Sequence, residues 1–198
     1  MYKISTNYQK RIIVAISGAS GAIYGVKILE ILKNIGVETH LVISRSARLT
    51  ISMELDLNIK EVIELADYHY NHSDIAAKIS SGSFIVDGMI VAPCSMKTLA
   101  AIASGYEEDL ISRAAGVVIK EQRKLVLMAR ETPLSPIHLE NMLKLSRLGV
   151  VISPTVCSFY NKPKSIDEMA EYSAVRALDL FDFNIDSSNR WNGIESQK

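Results

Sequence analysis

Four short segments carry residue types that could do chemistry. Ser17-Gly18-Ala19-Ser20-Gly21 follows an apolar run and opens a helical pattern. In that arrangement small side chains and free backbone N–H groups at a helix start can hold a phosphate. Ser44-Arg45-Ser46, Pro93-Cys94-Ser95-Met96-Lys97-Thr98 and Arg130-Glu131 each follow another apolar run and add hydroxyls, two further helix starts and guanidinium and carboxylate groups. Gly18-x-x-Gly21 lacks the GxGxxG spacing of dinucleotide sites, and Ser44-Arg45 stands where such a site would offer an acid to a ribose hydroxyl. NAD is therefore disfavoured. A mononucleotide such as FMN, whose single phosphate needs one cradle, is not.

Arg113 and Lys120, seven apart on a helical pattern, share a face. They read either as a solvated face paired with Asp109, Glu121 or Glu107, or as an anion clamp together with Arg130, Arg176 and Arg45. Glu54 and Glu131 are the carboxylates placed to act as general acid or base. The alternative for Glu54 is an exposed helical residue, and neighbouring cations and burial pull a carboxyl pKa in opposite directions. Cys94 reads as a buried thiol and His138, at a helix start, as a group that satisfies backbone. No acidic or His/Cys cluster has metal-ligand spacing, so no metal is expected.

These residues need a scaffold that brings strand ends together. Apolar, β-branched runs at 11–17, 38–44, 88–92, 124–129 and 150–153 alternate with helical patterns at 22–34, 47–55, 95–103, 109–123, 137–148 and 165–181. Near-continuous apolarity marks strands buried on both faces. The expected fold is α/β, a three-layer Rossmann-like (flavodoxin-like) parallel sheet with helices on both faces. In such sheets ligands settle beyond the strands' carboxyl ends. Between residues 60 and 88 the pattern weakens: 62–66 reads as helix, 68–74 and 80–83 as loop. One domain is expected over 1–198, with a core at about 10–182 and a polar tail at 183–198 carrying Trp191.

Composition narrows the function classes. The 198 residues are 48% hydrophobic and 22% charged, with 22 basic and 22 acidic side chains. A balanced charge gives no field toward nucleic acid or an anionic membrane. No apolar run approaches a membrane span, and residues 1–10 lack a secretion signal's apolar centre, so a cytoplasmic protein is expected. The two cysteines, Cys94 and Cys157, form neither a disulfide framework nor a zinc motif.

Taken in order, Gly18-Ala19-Ser20-Gly21-Ala22, Tyr24-Gly25, Ser44, Glu54, Ala92-Pro93-Cys94-Ser95-Met96-Lys97-Thr98-Leu99, Leu110-Ile111-Ser112-Arg113-Ala114-Ala115, Lys120-Glu121, Arg130-Glu131-Thr132-Pro133, His138-Leu139-Glu140-Asn141-Met142 and Phe159-Tyr160 resemble the UbiX/Pad-type flavin prenyltransferases over residues 10–191. The resemblance implies a homo-oligomeric, typically dodecameric, protein that joins a dimethylallyl group from dimethylallyl phosphate to N5 and C6 of reduced FMN, without a metal. The product would serve a UbiD-type decarboxylase. It implies FMN contacts from Gly18, Ala19, Ser20, Ser44, Ser95, Met96, Lys97, Thr98 and Arg130. Lys120, Glu131, Tyr160 and Arg176 would meet the prenyl phosphate, with Arg113 and Glu54 nearby and Trp191 closing the pocket. Ser20, Glu54, Lys120 and Glu131 form the expected catalytic set. Related readings are a flavin-dependent cysteine decarboxylase and a non-catalytic FMN-binding accessory subunit. Ile75, Asp109, Gly116 and the Thr155–Ser158 stretch with Cys157 depart from the family pattern, which bears on packing, capping and the placement of Tyr160.

Overall fold

A computed structural model describes residues 9–160, 162–183 and 185. Six strands, β1 (Arg11–Ile16), β2 (Glu38–Ile43), β3 (Tyr68–Asn71), β4 (Gly88–Cys94), β5 (Lys124–Ala129) and β6 (Val151–Ile152), form one sheet in the order β3-β2-β1-β4-β5-β6. Every pairing is parallel. Around it lie α1 (Ala22–Asn34), α2 (Arg45–Glu54), α3 (Ile59–Ile63), α4 (Met96–Ser104), α5 (Leu110–Lys120), α6 (Pro136–Arg147) and α7 (Ile166–Asp179). This is the expected three-layer architecture.

The apolar runs serve both faces because successive side chains of a strand point oppositely. Ile12, Val14 and Ile16 of β1 join a core beneath α1, α2, α3 and α7, whereas Ile13 and Ala15 join a second core beneath α4, α5 and α6. All five of these β1 side chains are at most 1% exposed. A strand this apolar has no side to offer solvent, which forces the parallel, doubly covered sheet.

Two expectations between residues 60 and 88 need correction. Tyr68–Asn71 is an edge strand, paired His40 to Tyr68 through Ile43 to Asn71, and not loop. The expected helix at 62–66 lies at Ile59–Ile63, where Asn58 accepts from the Lys60 and Glu61 N–H groups and the Glu61 carboxylate accepts from the Asn58 N–H at 2.7 Å. That reciprocal cap starts the helix earlier than its apolar residues suggest. Among the described residues no helix is long and apolar enough to cross a membrane.

Candidate functional site

Helices open beyond the carboxyl ends of the strands, and the residues that start them set the local geometry. Ser44 caps α2 by accepting from the Ala47 N–H at 3.0 Å, and Ser95 caps α4 by accepting from the Thr98 N–H at 3.3 Å. Asp109 caps α5 by accepting from the Ser112 N–H at 2.9 Å, so this departure from the family pattern keeps its capping role. Ser17, fully buried, donates to the Pro93 carbonyl at 2.9 Å and accepts from the Ser95 N–H at 2.8 Å. One hydroxyl thus ties the end of β1 to the turn that launches α4.

Between these helix starts lies a cavity of about 630 Å³, lined by Gly18, Ser44, Arg45, Ser46, His72, Ser73, Ser95, Met96, Lys97, Thr98, Glu108, Asp109 and Glu131. Its volume falls in the range of small-molecule pockets. The strand ends of β1, β2, β3, β4 and β5 all reach it. Of the expected flavin contacts, Gly18, Ser44, Ser95, Met96, Lys97 and Thr98 are brought together, and Glu131 stands in the same wall. His72, Ser73, Glu108 and Asp109 were not expected there. His72 and Ser73 follow β3, and the His72 carbonyl accepts from the Leu110 N–H at 2.8 Å, which fastens this loop to the start of α5. The alternating Tyr-His-Tyr-Asn pattern of β3 was the signal that could have found them.

The remaining expected residues lie outside the cavity wall. Ala19 and Ser20 do not line it, and the Ala19 N–H donates to the Ser17 carbonyl at 2.9 Å. The N–H groups of Gly21 and Ala22 donate to Glu54 Oε2 at 2.8 and 3.0 Å. Glu54 thus already occupies the N–H groups at the end of the Gly18–Gly21 turn, while Gly18 faces the cavity. The first turns of α2 and α4, with Arg45 and Lys97, line the cavity. Arg130 also leaves the wall. It acts electrostatically on Tyr24, whose hydroxyl lies 3.9 Å from Cys157 Sγ. Burial pushes the Tyr24 hydroxyl up to about 12, Cys157 adds to the rise and Arg130 opposes it. Burial likewise raises the Cys94 thiol, in keeping with a structural cysteine.

Arg113 and Lys120 pair with carboxylates of their own chain. Arg113 donates to Glu107 at 2.6 Å and to the Ser80 carbonyl at 3.1 Å, while Lys120 pairs with Glu121. Two glycines make room for this. A Cβ on Gly116 would sit 2.0 Å from a Glu107 carboxylate oxygen, and one on Gly82 would sit 2.1 Å from that of Glu121. Lys120 ends α5 ten residues beyond Leu110, roughly 15 Å along the helix from the residues at its start. Tyr160 meets Tyr172 at 2.6 Å between hydroxyls, and Arg176 donates to Asp179 at 2.6 Å, beside the outer face of α7. Trp191 lies outside the described residues. His138 satisfies backbone, accepting from the Ser135 N–H at 3.2 Å. Among the described residues no group of three or more His, Cys, Asp or Glu side chains could hold a metal ion.

The donor set suits FMN. A phosphate is matched by two capped helix starts with Arg45 and Lys97, and the enclosed volume accommodates a mononucleotide.

Comparison with known proteins gives four results that agree. A family model described as Flavoprotein matches residues 3–178. A Bacillus subtilis (strain 168) protein called a probable UbiX-like flavin prenyltransferase is 53% identical over 188 residues, covering 95% of this chain and 92% of its own. The crystal structure of AnUbiX (PadA1) in complex with FMN and dimethylallyl pyrophosphate superposes with a TM-score of 0.92 at 55% identity, over 95% of this chain and 100% of that one. A dodecameric FMN-dependent UbiX-like decarboxylase from Escherichia coli O157:H7 gives 0.90 at 51% identity, over 92% of this chain and 100% of its own.

Proposed function

The chain belongs to the flavoprotein family, among its UbiX-like flavin prenyltransferases, and from that premise we propose that it transfers a dimethylallyl group from dimethylallyl phosphate to reduced FMN. The observation that carries this reading is the cavity in which six expected flavin contacts and Glu131 meet beyond the strand ends. Reduced FMN supplies the electron-rich N5 and C6 that accept the five-carbon unit. Gly18, Ser44, Ser95, Met96, Lys97 and Thr98 hold it, with Ala19, Ser20 and Arg130 adding contacts from outside the cavity wall.

The chain's residues then act on the donor. Breaking the allylic C–O bond leaves negative charge on phosphate, which Lys120, Arg176 and the Tyr160 hydroxyl neutralise, with Arg113 and Trp191 beside them. Such preorganised donors are worth more in a dry site than in water. Glu131, with Ser20, moves the protons that ring closure releases. Since Lys120 lies about 15 Å along α5 from the cavity wall, the cationic half of this site is completed by a neighbouring copy. The dodecameric Escherichia coli relative supports a homo-oligomer of this kind. A UbiD-type decarboxylase in the cytoplasm receives the prenylated flavin.

Anaerobic incubation with reduced FMN and dimethylallyl phosphate tests the reading. A flavin heavier by one C5 unit is expected; unchanged flavin would instead indicate storage, and loss of CO₂ from a cysteine-containing peptide a decarboxylase. Mixing Glu131→Gln and Lys120→Met chains, each inactive alone, should restore part of the activity if sites are shared. Mixed assemblies that stay inactive would place both residues in one chain's site.

A further inference from the structure

Helix α1 begins at a residue that cannot cap it. Gly21 has no side chain and sits at φ +101°, so the first N–H groups of α1 need an acceptor from elsewhere. Glu54, the last residue of α2, provides one from 33 positions away, a single carboxylate oxygen accepting from both Gly21 (2.8 Å) and Ala22 (3.0 Å). A carboxylate there also complements the positive end of the helix.

The opposite end of α2 holds the same turn. Gly18 comes so close to Ser46 that a Cβ on it would lie 2.3 Å from the serine Cβ, and both residues line the cavity. Helix α2 therefore grips the 18–21 turn twice, by its first turn at Gly18 and by its last residue at Gly21. The Glu54 carboxylate itself is not part of the cavity wall. A proton-transfer group must reach the atom it serves, and this carboxylate is held on the backbone N–H groups of Gly21 and Ala22.

We propose that Glu54 is a positioning residue: it acts through the 18–21 turn, fixing Gly18 at the cavity, and exchanges no proton with substrate. It occupies the α1 helix start with the protein's own anion, which leaves the phosphate of the flavin to the α2 and α4 starts. The inference rests on the flavin reading of the cavity, while the hydrogen bonds it invokes belong to the chain alone.

The test compares Glu54→Ala with Glu54→Gln, whose side-chain carbonyl still accepts, in the full chain. Hydrogen–deuterium exchange is read for the peptide covering residues 18–25, FMN affinity from flavin fluorescence, and transfer rate at saturating reduced FMN. The alanine variant should exchange about fivefold faster there and bind FMN about fivefold more weakly, the size of a lost helix cap. Glutamine should bring both back to within about twofold, and neither variant should lose more than about tenfold in rate. A general acid or base would instead cost about 10²–10⁴ in rate in both variants with FMN affinity intact, which would overturn the proposal. Unchanged exchange at 18–25 in the alanine variant would overturn it too, even in a protein that took up no flavin, a result that would separately remove the flavin reading. If the alanine variant fails to fold, glutamine decides alone: less than tenfold rate loss supports positioning, and a hundredfold loss refutes it.

Discussion

The amino and carboxyl ends of the sheet both carry polar side chains and use them in opposite ways. At the amino ends, Asp87 accepts from the Arg11 N–H at 2.7 Å, and Asp67 from the Thr39 N–H and hydroxyl at 2.8 and 3.0 Å. Glu38 accepts from Arg11 Nε at 3.0 Å and from His40 Nε2 at 2.9 Å. A carboxylate only accepts, so His40 is protonated on Nε2 and its Nδ1 accepts from the Tyr70 hydroxyl at 2.9 Å. His40 is fully buried, stacked on Tyr68 and edge-on to Phe84. That network closes on itself. At the carboxyl ends, Ser44, Ser95 and Asp109 satisfy one N–H each, and Arg45, Lys97 and Glu131 line a cavity. Polar groups at strand starts hold the fold together; those at strand ends wait for a ligand.

Substitutions should separate these two roles. The largest effect belongs to the open end: Glu131→Gln is expected to slow dimethylallyl transfer about 10²–10⁴-fold while shifting stability by no more than about 0.5 kcal/mol. A transfer rate like wild type would remove Glu131 from proton transfer.

At the closed end the balance reverses. His40→Leu takes away the acceptor of the half-buried Tyr70 hydroxyl and one of the two donors to Glu38, which keeps Arg11, and should cost about 1–3 kcal/mol in urea unfolding, with FMN affinity held. A parallel loss of FMN binding would show that the two ends are not independent. The same residue gives the chain a pH signature. Burial holds the His40 pKa below its ordinary 6.5, Lys78 and Arg11 push the same way, and Glu38 opposes them. The unfolded chain therefore takes up a proton that the folded one refuses. Stability is fully present above about pH 6.5 and is lost as pH falls through the depressed folded value. His69, also lowered by burial and by Arg48, adds with the same sign. Melting midpoints at pH 7 and pH 5 should differ less in His40→Leu than in wild type; an equal difference would clear His40 of the effect.

The smallest effect joins the two ends along α5. Gly116→Ala places a Cβ where the Glu107 carboxylate lies and should swing that flexible side chain off Arg113. The exposed ion pair is worth about 0.2–1 kcal/mol and alanine gains about 0.5–1 kcal/mol over glycine within a helix, so stability should hardly move. The change is read as a raised KM for dimethylallyl phosphate at constant FMN affinity. An unaltered KM would separate Arg113 from the donor.

Much of this division was legible in the sequence because it depends on neighbours along the chain. Apolar runs buried on both faces specify a parallel sheet, and Ser44 and Ser95 near the starts of helical patterns specify where a ligand is met. β3 escaped because an edge strand is half exposed: its Tyr-His-Tyr-Asn alternation lacks the apolar run that marked the inner strands, and His72 and Ser73 of the site were missed along with it. Contacts across long separations could not be read at all. The Glu54 carboxylate on the Gly21 and Ala22 N–H groups, Glu107 over Gly116, and the distance of Lys120 from the cavity depend on how finished elements pack. Periodicity and capping are set within a few residues and so are written in the chain; which turn a carboxylate reaches, and which charge finds which partner, is settled only when the layers close around the sheet.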